Sequence, residues 1–125
     1  NRLRFIQEMN NSPVAIETDL ANDQHYCLPT DFFELVLGKN LKYSCCHWDE
    51  ASNLDEAEDE MLEITIARAN IQDGMDILEL GCGWGAITLK MAKKYPNSKI
   101  LAVSNSSMQK EFILNKDKNL SLWLW

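Results

Sequence analysis

Residues 76 to 85, Asp-Ile-Leu-Glu-Leu-Gly-Cys-Gly-Trp-Gly, constrain this chain more than any other stretch. The apolar positions Ile77, Leu78 and Leu80 predict a short strand covered on both faces. Gly81, Gly83 and Gly85 predict a tight loop after it, and Ala86 to Tyr95 a helix stopped by Pro96-Asn97. Lys99 to Val103 reads as a second strand, and Ser106 with Gln109 as a capping box opening a further helix through Asn115. Strand, glycine-rich loop, helix, strand and helix make the opening half of an open parallel sheet with right-handed crossovers. The expected fold class is α/β.

A glycine-rich turn between a buried strand and a helix has one physical use for a ligand. It removes Cβ atoms so that the ligand reaches the backbone, and it aims the free N–H groups of the helix at it. A phosphate-gripping loop of the Gly-x-x-x-x-Gly-Lys-Ser/Thr kind is excluded, because no lysine follows Trp84, Gly85 and Ala86. A dinucleotide loop would need Gly-x-Gly-x-x-Gly, and the spacing 81, 83, 85 misses it by one. Ser104-Asn105-Ser106 also stands where that fold places an acid at the end of its second strand. What remains is Glu79 at a strand end followed by Gly-x-Gly-x-Gly. That pattern suits a ligand with a zwitterionic amino-acid end and an adenosine end but no pyrophosphate. A purely structural turn, its glycines serving close packing, is the alternative.

Upstream, residues 1 to 28 open with a weak helical stretch broken at Asn11-Ser12-Pro13. Asp31 with Glu34 reads as a capping box for a short helix holding Phe32, Phe33, Leu35, Val36 and Leu37 and stopping at Gly38. Its apolar run covers most of the circumference, which predicts a helix wedged between other elements. A longer helix follows, with Asn53 as N-cap and Glu56 three residues on. Leu54, Ala57, Met61, Ile64 and Thr65 should form its apolar face, and Asp55, Glu58, Asp59 and Glu63 should face water. The pattern changes to α/β at Asp73-Gly74. Residues 1–73 are therefore expected to form a helical region and 74–119 a partial sheet domain. The segment Leu120-Ser-Leu-Trp-Leu-Trp125 reads equally as a third strand or as a tail.

Twelve Lys and Arg against nineteen Asp and Glu give a net charge of −7, which removes any long-range pull toward nucleic acid. No window approaches the roughly 18 uncharged apolar residues of a membrane span, and no leader follows Asn1. Cys27, Cys45, Cys46 and Cys82 lack Cys-x-x-Cys spacing, poor material for disulfides or a metal site. Reduced thiols and a cytoplasmic protein are the expectation.

Glu79-Leu-Gly-Cys-Gly-Trp-Gly85 resembles motif I of S-adenosylmethionine-dependent methyltransferases. The neighbours narrow the resemblance: Gln24-His-Tyr26, Pro29 to Glu34, Leu37 to Cys46, Leu54 to Glu58 and Val103 to Gln109 fall in the order and spacing of one branch. The chain, from about Ser12 to about Asn115, looks like the cyclopropane-fatty-acid-synthase-like group and is especially similar to coclaurine N-methyltransferase-like members. The resemblance implies a Rossmann-like methyltransferase sheet under a helical lid, with S-adenosylmethionine as cofactor and S-adenosylhomocysteine as product. It implies that Gly81, Gly83 and Gly85 lie against the methionine portion and that Glu79 orients the amino group or its waters. Tyr43 and Ser44 would contact the cofactor near its sulfonium and carboxylate, and Ser104, Asn105 and Gln109 its adenosine side. His25 and Tyr26 would belong to the lid. Cys45 matches the cysteine that helps hold a bicarbonate base in the lipid-modifying members. Trp84 is left open between the adenosyl group and the helix, and Cys82 is expected to pack.

The resemblance implies a small amine or an unsaturated lipid as methyl acceptor. It also implies a third strand beginning after residue 119, where residues 120–125 depart from the family's pattern, and a general base farther along than this chain reaches. The competing expectation is a non-catalytic piece that binds cofactor weakly, binds a partner or associates with itself.

Overall fold

The computed structural model describes residues 1–26, 28–117 and 120–124, with Asn22, Asp23, His25, Tyr26 and residues 121–124 described through the backbone alone. In chain order the elements are α1 (Arg2–Asn11), α2 (Thr18–Tyr26), α3 (Thr30–Val36), α4 (Leu54–Arg68), β1 (Asp76–Leu80), α5 (Ala86–Lys94), β2 (Lys99–Ser104), α6 (Ser107–Lys116) and β3 (Ser121–Leu124). The strands form one parallel sheet in the order β1-β2-β3. Asp76 pairs with Lys99 and Leu80 with Val103, so Glu79 stands opposite Ala102. The segment left open between strand and tail places Ser121 to Leu124 beside β2.

Local signals built the helix starts. Asn53 Oδ1 accepts from Glu56 N at 3.0 Å, and Glu56 Oε2 accepts in return from Ser52 N at 2.8 Å. Ser106 Oγ accepts from Gln109 N at 3.3 Å at the start of α6. The capping box expected at Asp31 does not form. Pro29, with φ −57°, sits at the cap with no side-chain bond, and Asp31 falls inside the first turn of α3. α2 forms although its sequence lacks periodic apolar positions.

Among the described residues, three small cores hold the fold. Phe33, Leu41 and Trp84 form one; Ile66, Met91 and Ile100 another; Cys82, Ala102 and Ile113 a third. α3 is less enclosed than expected: Phe33 is buried, but Phe32, Leu35 and Val36 are exposed. β1 is likewise covered on one face only: among the described residues no element packs over the face of Leu78 and Leu80, which are 59% and 74% exposed.

The face of α4 is also rotated from its expected position. Ala57, Glu58, Leu62 and Ile66 are its buried residues, while Leu54 is exposed. The acids expected in water are engaged instead. Lys90 of α5 pairs with Asp59 at 2.8 Å and with Glu63 at 3.2 Å, and Lys94 pairs with Glu63. Burial pushes the Asp59 carboxyl up, but hydrogen bonds from Lys39, Lys90 and Asn40 outweigh it and hold it down to about 2. Among the described residues no helix is long and apolar enough to cross a membrane, and no cluster of His, Cys, Asp or Glu is placed to hold a metal ion.

Candidate functional site

The loop after β1 is tied to the end of β2 by a single carbonyl. Val103 O accepts from both Gly81 N and Cys82 N, each at 3.0 Å. Gly81 and Gly83 have φ of +76° and +54°, and a Cβ built on either would meet nothing within 4 Å. The space above them is open. Gly85 differs: a Cβ there would lie 2.7 Å from Ile113 Cγ1, so this glycine lets α5 approach α6 and does not line the opening. The loop thus divides its glycines between a cleft and a packing contact.

That cleft is an open cavity of about 900 Å³. Gly81, Cys82, Gly83 and Trp84 form its floor, with Glu79 below them. Ser104, Asn105 and Gln109 form one wall, and Lys42, Tyr43 and Ser44 another. Ala15 and Thr18 bring the N-terminal region to its rim. Eight of the residues expected at a ligand site from sequence (Tyr43, Ser44, Glu79, Gly81, Gly83, Ser104, Asn105 and Gln109) line this one space. Cys45 does not line it; its side chain is exposed, and its carbonyl accepts from Lys42 Nζ at 2.6 Å. His25 and Tyr26 lie at the end of α2, and their side chains fall outside the described residues, as does Cys27.

The polar groups of the cleft are held in defined states. Glu79 is a largely buried carboxyl; burial raises it above the ordinary carboxylate range, and a hydrogen bond from Thr88 partly offsets this. Ser104 Oγ donates to Gln109 Oε1 at 2.7 Å and accepts from Ser106 N at 3.1 Å. The Gln109 amide is therefore aimed, and its Nε2 is buried with no partner among the described residues. Trp84 Nε1 is in the same condition, although its ring is fixed against Phe33 and Phe112 at 4.8 and 5.5 Å. Both donors are sealed from solvent, within residues that line the cleft. Burial and the neighbouring Glu79 push the Cys82 thiol up to about 11, which keeps it protonated and suited to packing. Cys45, Cys46 and Cys82 are free thiols.

Sequence reading missed Thr88 and Glu58. Thr88 is fully buried in the first turn of α5, where nothing local distinguishes it from a core threonine. Glu58 sits in an acidic run whose composition points to solvent. A second cavity, about 1150 Å³, is lined by residues 37–41 and by α4, α5 and α6. Its Lys39, Lys90 and Lys94 already pair with Asp59 and Glu63, so the glycine-loop cleft is the stronger candidate.

Residues 16–121 match the family described as mycolic acid cyclopropane synthetase. An (S)-coclaurine N-methyltransferase of Thalictrum flavum subsp. glaucum is 47% identical over 121 residues, covering 96% of this chain and 34% of that protein. A crystal structure of a coclaurine N-methyltransferase bound to N-methylheliamine and SAH superposes with a TM-score of 0.89 at 41% identity, covering 95% of this chain and 36% of that one. A mycolic acid cyclopropane synthase complexed with SAH superposes at 0.74 and 28% identity, covering 88% and 40%. The chain spans about a third of the length of the curated relatives it matches. An α/β chain with this loop, this cleft and this match over most of its length belongs to the mycolic acid cyclopropane synthetase family, and it is similar to the coclaurine N-methyltransferases.

Proposed function

We propose that this chain binds S-adenosylmethionine in the glycine-loop cleft and forms part of a methyltransferase whose acceptor is the nitrogen of a small amine. The cofactor reading is carried by one juxtaposition. The open space over Gly81 and Gly83 is lined on one side by Glu79 and on another by Ser104, Asn105 and Gln109. A ligand with an ammonium group at one end and a polar nucleoside at the other fits that lining. When bound, the cofactor supplies a methyl group on a sulfonium.

The chain's own residues then bind and align. Gly81 and Gly83 floor the methionine portion, and Gly85 keeps the loop's shape through its contact with α6. Glu79 orients the amino group or its waters. Ser104, Asn105 and Gln109 take the adenosine side, and Tyr43 and Ser44 the region of the sulfonium and carboxylate. Residues 1–73, including His25 and Tyr26, act as the cover over the partial sheet domain of 74–119. The nucleophile attacks in line, and the protein's contribution is alignment and exclusion of water. A general base must stand within about 3 Å of its proton, and we assign none among residues 1–125. The unbridged thiols are in keeping with a cytoplasmic protein.

The amine acceptor is supported by the likeness to coclaurine N-methyltransferase. The family match and the likeness to a cyclopropane synthase favour a second reading, an unsaturated lipid acceptor with Cys45 helping to hold a base. Calorimetry tests the cofactor: SAH should bind saturably and NADH should not, and the reverse result defeats the reading. A chain extended to the length of its relatives, given an amine and an unsaturated lipid together, tests the acceptor. Mass spectrometry should find methylated amine; cyclopropanated lipid alone, abolished by Cys45→Ser, would establish the second reading.

A further inference from the structure

We propose that Glu58 is a positioning residue for the cleft, its buried carboxylate gathering the segment from Gly38 to Lys42 and thereby setting Tyr43 and Ser44. Glu58 is fully buried. Its Oε1 accepts from Gly38 N at 2.9 Å and from Lys42 N at 3.2 Å, and its Oε2 accepts from Asn40 N at 2.8 Å. No cation pairs with it among the described residues; backbone N–H groups alone satisfy a charge that would otherwise be costly to bury. The remaining amides of the segment are also accounted for. Lys39 N donates to Asp55 Oδ1 at 2.7 Å, and Leu41 N donates to Gly38 O at 2.9 Å.

Two observations show that the segment does not hold itself. Leu41 has φ +52°, in the left-handed region that a leucine rarely adopts, yet its side chain is buried between Phe33 and Trp84. A Cβ on Gly38 would lie 2.8 Å from Asp55 Oδ1 and 2.8 Å from Glu58 Oε2, so the carboxylates of α4 press directly on the backbone there. The next residues enter the cleft at once. Lys42 donates its backbone N–H to Glu58 and its Nζ to Ser44 Oγ at 2.6 Å, and Tyr43 packs edge-on against Phe33 at 5.2 Å. Glu58 thus acts on the cleft through Lys42, Tyr43 and Ser44.

The inference rests on the cofactor reading, so its test has one arm that uses SAH and one that does not. The variants are Glu58→Gln, Gly38→Ala and the control Glu60→Gln, whose side chain turns to His47 instead, all in a chain extended to the length of its relatives. Glutamine offers one acceptor in place of two and points an N–H group at N–H donors. Gly38→Ala keeps the carboxylate but displaces it, and so carries the same readouts if Glu58→Gln does not fold. In the first arm, hydrogen exchange should find the amides of Gly38, Asn40 and Lys42 protected in the wild type and in the control. Both variants should lose that protection while amides of β2 keep theirs, and the Tyr43 ring resonances should move. In the second arm the Kd for SAH should rise about tenfold or more, the loss of a charge-assisted hydrogen bond, in both variants. The double variant should be no weaker than the worse single one. Unprotected amides in the wild type, or unmoved Tyr43 resonances in Glu58→Gln, overturn the proposal. Lost protection with SAH affinity unchanged also overturns it, and reduces Glu58 to a structural contact. A wild type that binds no SAH while protection and Tyr43 respond as expected defeats the cofactor reading and leaves the positioning of the segment standing.

Discussion

Thr88 on α5 donates its hydroxyl hydrogen to the carboxylate of Glu79 on β1, so the first turn of the helix aims the acid at the strand's end. Burial holds that carboxyl above its ordinary 4.5, and the Thr88 bond works against the rise. The folded chain therefore keeps a proton on Glu79 at pH values where the unfolded chain has lost it. Its contribution to stability is greatest below 4.5 and falls as pH rises through the folded pKa. A ligand ammonium favours the ionised form, so SAH binding should release a proton in this window and strengthen as pH climbs out of it. Calorimetry in buffers of different ionisation enthalpy measures the proton, and Glu79→Gln should abolish its release. Thr88→Val should move the window upward. A pH-independent affinity in the wild type would remove Glu79 from the ligand's amino end.

The glycines of the loop should separate into two phenotypes. Gly83→Leu places a side chain in open cleft space, and the positive φ costs about 1–2 kcal/mol of backbone strain. Its main effect should be loss of SAH binding with the fold kept. Gly85→Ala meets the same strain and adds an overpacking cost of about 1–3 kcal/mol against Ile113. It should lower the melting temperature well below that of Gly83→Leu. Normal SAH affinity in Gly83→Leu would show that the loop does not floor the ligand.

What was legible in the chain was what is local. The Asn53–Glu56 and Ser106–Gln109 caps span three residues, and the residues that form them stand together in the sequence. The glycine loop could be read in the same way, as could the strand and helix that it joins. Glu58 could not, because the N–H groups that it binds lie 16 to 20 residues earlier and belong to a segment without periodicity. Helical phase alone put Leu54 inward and Glu58 outward. The actual phase is set by what surrounds α4, with Lys90 and Lys94 drawing Asp59 and Glu63 toward α5. Leu78 failed for a related reason: apolarity tells that a side chain favours burial, not whether a neighbour lies over it.

The Asp59 network should make the chain sensitive to acid. Asp59 is held at about 2 in the fold against an ordinary 3.8, so its stabilisation is present above 3.8 and is lost as pH falls toward 2. Asp59→Asn should lower stability near neutral pH and flatten the acid limb of a stability–pH curve. Because Asp59 is partly exposed, salt should shrink the difference. An unchanged acid limb in the variant would place the lability elsewhere.

The last expectation concerns the chain by itself, and it follows from uncovered apolar surface. β1 is a sheet edge with Leu78 and Leu80 exposed, and α1 buries none of its residues although it carries Leu3, Phe5 and Met9. Burying a Leu or Phe is worth roughly 1.5–3 kcal/mol, so these side chains together withhold an amount comparable with the ~5–15 kcal/mol stability of an ordinary domain. An open parallel edge beside exposed leucines also invites pairing between copies. The 125-residue chain should therefore unfold broadly, bind a hydrophobic dye and show a mass that grows with concentration in the micromolar range. It should also transfer no methyl group from labelled cofactor. Leu78→Lys with Leu80→Lys should reduce both dye binding and association without disturbing the cleft, since neither residue lines it. A sharp transition at monomer mass, together with turnover, would mean that the three strands suffice as they stand. Association that persists unchanged in the double variant would move the sticky surface from β1 to α1, where Phe5→Glu would be the next substitution to measure.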